Sequence, residues 1–174
     1  MIETQPQASV TSVAVKYGLL TGLVGVVYSL IIMVTDLGDN RILSSLAYLI
    51  LIAGIVLAMK QYKTINYGYM SYGQGLGIGS LVALIFGLLT GIFTWIYTTF
   101  VDTEYMSRMM EKQREEMLSQ GMTDEQIDAG MKIAENFQGP VTMILGAAVI
   151  TLIVGFILSL IISAIMKNSR PEFE

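Results

Sequence analysis

Four long apolar runs, none containing an acidic side chain, alternate along this chain with polar stretches of very different length. They extend from Val13 to Val34, from Ile42 to Met59, from Gly75 to Tyr97 and from Val141 to Met166. As a helix the third would be about 35 Å long, enough to cross a bilayer core, and the second borders on the minimum of roughly 18 residues. The pattern predicts an all-α, polytopic membrane protein: one domain over residues 1–174, four transmembrane helices at about 13–34, 42–59, 75–97 and 141–166, and an extramembrane helical hairpin at 102–139 between spans three and four.

The polar stretches refine this picture. Residues 1–12 lack the basic and apolar regions of a removable signal peptide and read as a short disordered tail. Lys16, near the start of span one, has a stem long enough to carry its ammonium to the headgroups. Thr35 to Arg41 is a turn that joins antiparallel helices, and Lys60 and Lys63 end span two sharply. The connector from Gln61 to Gln74 holds Tyr62, Tyr67, Tyr69 and Tyr72, as an interfacial aromatic belt would, and Trp95, Tyr97 and Phe100 close span three at the other interface. Beyond it, Asp102 or Thr103 caps a helix running to about Gln120, with Glu104 and Arg108, and Lys112 and Glu116, at supporting i,i+4 spacing. Gly121 suits a left-handed stop, Thr123 with Gln126 forms a capping box for a second helix, and Gly139 and Pro140 end it.

Small residues recur every fourth position within the spans. Gly75, Gly79, Ala83, Gly87 and Gly91 form one seam, Ala14, Gly18 and Gly22 a second, and Ala147, Thr151, Gly155, Ser159 and Ser163 a third. A face of this kind lets a neighbouring backbone approach closely. Isoleucine at Gly79 or Gly87 is therefore expected to push apart the helices that meet there, and at Leu88 or Phe86 to be mild. Glycines at 73, 75, 77 and 79 lack the spacing and the preceding strand of a phosphate-binding loop; they predict instead a kinked or partly unwound start to span three.

Composition then narrows the chemistry. The chain is 53% hydrophobic and 14% charged, with no Cys and no His. Disulfides, thiolate or imidazole metal sites and Cys or His catalysis are excluded, and Ser159 and Ser163 have no acid or imidazole in the spans to activate them, so the chain reads as no enzyme and as having no cofactor. Met106, Met109, Met110, Met117 and Met131 lie at helical spacing in the hairpin; without His or Cys to complete a copper site they read as flexible packing and as a partner surface. The segment Asp102 to Gly139 holds nine acidic and four basic residues, against a net charge of −4 for the chain, and nothing is basic enough to follow nucleic acid. Lys16, Lys60, Lys63, Lys167 and Arg170 flank the membrane on one side without accompanying acids in the flanking turns. That side, with both termini, is expected in the cytoplasm.

The stretch YLILIAGIVLAMKQYK, the block SYGQGLGIGSLVALIFGLLTGIFTWIYTTFVD, the REEMLSQGMTDEQID hairpin and the apolar last span resemble a family of bacterial membrane proteins, domain of unknown function 4199. The resemblance covers nearly the whole chain and implies four spans in a bacterial inner membrane. It brings no activity, cofactor or site residue. The function expected from these readings is a structural or interaction subunit, packing through its small-residue seams and meeting a second copy or a membrane-protein partner through residues 102–139, with a small oligomeric channel or carrier as the alternative.

Overall fold

Side-chain caps set where the helices begin. The computed structural model describes residues 9–38, 40–136 and 139–169; most of the expected N-terminal tail, Gln138 at the end of the hairpin and Arg170 lie outside them. Helix α1 (Val10–Val34) starts three residues before the apolar run because the Ser9 hydroxyl accepts the Ser12 N–H at 3.3 Å. Helix α2 (Arg41–Ile65) starts after Asn40, whose side-chain oxygen accepts the N–H groups of Ile42 and Leu43. Lys60 and Lys63 do not end this helix. It runs on to Ile65, because lysine is a good helix former and a cation in the last turn complements the helix dipole.

Helix α3 (Tyr72–Ile96) corrects a second expectation. Its glycine-rich start is regular, held by a capping box in which Ser71 Oγ accepts the Gln74 N–H and Gln74 Oε1 accepts the Ser71 N–H, at 3.2 and 2.8 Å. The irregularity sits at the other end, where the chain widens into a π-helical turn, Tyr97–Val101, closed by the Asp102 N–H on the Tyr97 carbonyl at 2.9 Å. Helix α4 (Tyr105–Ser119) follows, preceded by Glu104, which makes no side-chain cap. Gly121, at φ +79°, turns the chain back, and the Thr123–Gln126 capping box opens α5 (Asp124–Asn136). Helix α6 (Pro140–Met166) begins with proline in its first turn, where its missing N–H has no helical partner to lose.

Among the described residues the architecture is all-helical, and α1, α2, α3 with its π turn, and α6 are each long and apolar enough to cross a membrane. Helix α3 is the central element: its most extensive contacts are with α6 and then with α1, while α2 packs on α1 and α3. One apolar cluster, including Ala14, Leu51, Ile55, Ile78, Val82 and Phe86, fills the space between α1, α2 and α3. Outward positions such as Leu23, Leu49, Ile153 and Ile161 stay more than half exposed, as a bilayer-facing surface requires.

The tyrosines do not form one belt. Tyr62 is buried in the core cluster, whereas Tyr67 and Tyr72 are exposed. Tyr97, expected at an interface, is buried as well. The connector also reaches across to the last helix. Met70 and Asn168 exchange backbone hydrogen bonds at 2.8 and 2.9 Å, Asn168 Nδ2 donates to the Gly68 carbonyl at 3.0 Å, and Lys63 Nζ donates to the Met166 carbonyl at 3.1 Å. The α2–α3 connection thus clasps the C-terminal end of α6.

Candidate functional site

Two of the seams read separately along the chain face each other. A Cβ on Gly75 would lie 2.6 Å from Ser163 Oγ, one on Gly79 would overlap Ser159 Oγ, and one on Gly155 would overlap the Ala83 methyl. Further along, a Cβ on Gly87 would come within 2.9 Å of the Thr151 Cβ, and one on Gly91 within 3.0 Å of the Ala147 Cβ. Each four-residue step along α3 is matched by a four-residue step back along α6, so all five positions of one seam are zipped to all five of the other. The backbones meet because neither side offers bulk. Ser159 turns its hydroxyl onto its own helix, donating to the Gly155 carbonyl at 2.6 Å, while Ser163 Oγ is buried against Gly75 with no hydrogen-bond partner.

The α1 seam packs on another face of α3. Gly18 lies under Ile85, Gly22 under Leu89 and Gly25 under the Phe86 ring. Phe86 is accordingly a packing residue, contrary to its expected tolerance of substitution. Gly54 on α2, which no spacing rule singles out, receives the Thr21 side chain of α1. Tyr28 adds a hydrogen bond from its hydroxyl to the Leu43 carbonyl, tying α1 to α2.

At the opposite end from the clasp, α4 is docked on the α1–α2 turn. Met33, Tyr97 and Tyr105 form a buried cluster joined by Phe93, Met106 and Met109, with the rings of Tyr97 and Tyr105 edge to face at 6.3 Å. Tyr105 Oη and Met109 Sδ lie over Gly38, 3.0 and 3.8 Å from where a Cβ would be. Asp36, in the left-handed region at φ +53°, accepts Lys112 Nζ at 3.0 Å. Arg108 Nη1 and Nη2 donate to the two carboxylate oxygens of Asp102, at 3.2 and 2.6 Å, with the guanidinium carbon 5.9 Å from the centre of the Tyr105 ring. That guanidinium holds the Asp102 carboxyl below its ordinary value. Asp102 therefore serves as an ion-pair partner at the π turn and does not cap α4. Asp36 and Gly38, in a turn expected only to join two helices, thus receive α4.

The methionines divide accordingly. Met106 and Met109 pack toward the bundle, Met117 reaches Gly130 of α5, and Met110 and Met131 are half-buried. Arg114 adds a solvent-exposed ion pair to Asp128 at 3.8 Å, and Ile127 is fully buried within the hairpin. What the hairpin exposes is predominantly acidic, with Glu111, Glu115, Asp124 and Glu125 at the surface beside the cations Arg114 and Lys132, and with Leu118 and Ile133 as exposed apolar positions. Among the described residues no three acidic side chains gather closely enough to hold a metal ion.

Four apolar helices zipped through small residues, with a short helical pair docked on one end, define a multi-pass helical membrane protein. The chain belongs to the family described as protein of unknown function (DUF4199), whose model matches residues 16–168. No curated protein and no solved structure matches it.

Proposed function

We propose that this chain is a non-enzymatic interaction subunit of a bacterial inner membrane, with both termini and the α2–α3 connector in the cytoplasm and α4–α5 on the outer side. The observation that carries the reading is the docking of α4. Buried aromatic contacts set α4 against the end of the bundle, with the Arg108–Asp102 and Lys112–Asp36 ion pairs at their edge, while acidic residues of the hairpin face outward. A predominantly acidic platform suits a basic protein surface, since it steers the partner electrostatically and resists a second copy of itself. The hydroxyls of Thr90, Thr98 and Ser159 donate to carbonyls of their own helices, which favours packing over a polar path through the spans.

Cross-linking and mass spectrometry in native membranes test this. One protein should be linked to α4–α5 in the wild type and lost when Glu111, Glu115 and Asp124 are changed together to Lys; a partner retained by that variant, or links only between copies of the chain, would overturn it. The orientation is read by a cysteine at Gln113, which a membrane-impermeant reagent should label in spheroplasts, against one at Tyr67, which should need permeabilised membranes.

A further inference from the structure

The contact of Thr21 with Gly54 fixes the register of α1 against α2, and that register brings two lysines level. Lys16 lies five residues before Thr21 and Lys60 six after Gly54 on the antiparallel neighbour, so their heights differ by about 1.5 Å, one residue's rise. At about 100° per residue, Lys16 is turned roughly 140° and Lys60 roughly 120° from the line of contact. Because the two helices run in opposite directions, these rotations carry both side chains to the same flank of the pair, each leaving its helix past the perpendicular so that the two long stems must bend back to meet over it. It is the flank away from α3: Gly18 and Gly22 of α1 pack on α3, and Ile55 and Met59 of α2 are buried in the core. Lys16 and Lys60 are both exposed.

The Lys16 Cα lies six residues and the Lys60 Cα five residues in from its helix end, about 9 and 8 Å, so each stem starts inside the helical span and carries its ammonium toward the headgroups. No carboxylate answers them: among the described residues of this end, 9–20, 58–80 and 160–169, there is no Asp or Glu. Toward the bilayer centre the same flank becomes apolar, with Leu20 and Val24 on α1 and Leu57 and Ala53 on α2, all exposed. We infer that this flank is a binding site for an anionic phospholipid, its phosphate bridged by the stems of Lys16 and Lys60 and an acyl chain along the apolar side chains below. Two cations with no carboxylate among the described residues of this end select an anionic over a zwitterionic headgroup, and the apolar side chains below give a free phosphate nothing to add. The site depends on the α1–α2 register and is independent of the role proposed for the hairpin.

Native mass spectrometry of the full-length protein, released from detergent micelles with added phosphatidylglycerol or phosphatidylcholine, reads the site. The wild type should retain one phosphatidylglycerol and release phosphatidylcholine. A lysine at an anionic surface is worth about a fivefold gain in affinity, so the double variant Lys16→Gln, Lys60→Gln should bind about 25-fold more weakly. Lys16→Arg with Lys60→Arg should bind as the wild type does, and so should Lys63→Gln with Lys167→Gln, which removes the same charge elsewhere on this end. Four results would each overturn the assignment: unchanged binding in the double Gln variant, loss in the double Arg variant, equal retention of phosphatidylcholine, or displacement of the lipid by an equal concentration of inorganic phosphate.

Discussion

A methyl group is the unit of tolerance in the α3–α6 seam. Gly79 has Ser159 where its Cβ would be, and Gly87 has the Ala148 Cα at 2.8 Å, an atom of backbone that no rotamer change can move aside. Isoleucine at either should cost on the order of 1–3 kcal/mol by overpacking, read as a fall in melting temperature in detergent. Leu88→Ile and Gly146→Ile are the controls; the first is half-exposed, the second has nothing within 4 Å of its Cβ position, and both should melt near the wild type. Phe86 is unsuitable as a control, since its ring covers Gly25 and isoleucine there would leave a gap. The seam residues were legible from their fourfold spacing alone. Their mutual pairing was not, because spacing tells which face of a helix is small and is silent about what rests on it. Gly54 escaped for the complementary reason: a single glycine has no period.

Among the elements, α4 is held by contacts of unequal strength. The Lys112–Asp36 pair is more than a third exposed on both sides, and such pairs contribute about 0–1 kcal/mol. Tyr105 is buried between Tyr97, Met109 and the Gly38 turn, where truncation of a large side chain costs about 3 kcal/mol. Tyr105→Ala should therefore speed amide hydrogen exchange throughout α4 at neutral pH, while Lys112→Ala leaves it nearly unchanged. Acid gives a separate handle. Asp102 is held below its ordinary 3.8 chiefly by the hydrogen bond from Arg108, so its contribution is complete above about pH 4 and fades as pH falls below that, through its depressed folded value. Trp95, the single tryptophan, sits 6.0 Å from Phe100 at the π turn. Its emission should stay constant from pH 8 to 5 and shift below pH 4, and Asp102→Asn should show the shifted emission already at pH 7. The two hairpin helices, Gly121 and the Thr123 capping box could be read from local signals. The docking could not, since it joins residue 36 to residue 112 and residue 38 to residue 105 across two spans. The π turn was hidden too: an extra residue in a helical turn leaves no trace in an apolar run, and it is this turn that places Tyr97 inside and Phe100 outside.

At the scale of the whole molecule, the longest helix–helix contact unites segments on either side of the hairpin. Two chains comprising residues 1–120 and 121–174, expressed together, should accordingly co-purify, because the zipped seam and the Met70–Asn168 clasp both survive the cut. Gly79→Ile in the longer piece should weaken the association roughly 5- to 150-fold, the equivalent of 1–3 kcal/mol, and co-purification of that variant undiminished from the wild type would show the seam to be dispensable. The four spans and their order were legible throughout, since lipid demands long apolar runs; helix ends were less so, because caps and lysines extend helices beyond what the bilayer requires. The same zipper has a consequence for how the protein is made. Helices α1, α2 and α3 leave the ribosome first and can settle together, α1 on α3, while the stretch of 97–139 is still being synthesised. At 5–20 residues per second that interval lasts about 2–9 s, during which the glycine face of α3 lies open to lipid or to any other small-faced helix passing through the insertion machinery. The last span to be born is the one that closes the molecule, and a nascent chain stalled within the hairpin would present an unclosed groove to its surroundings.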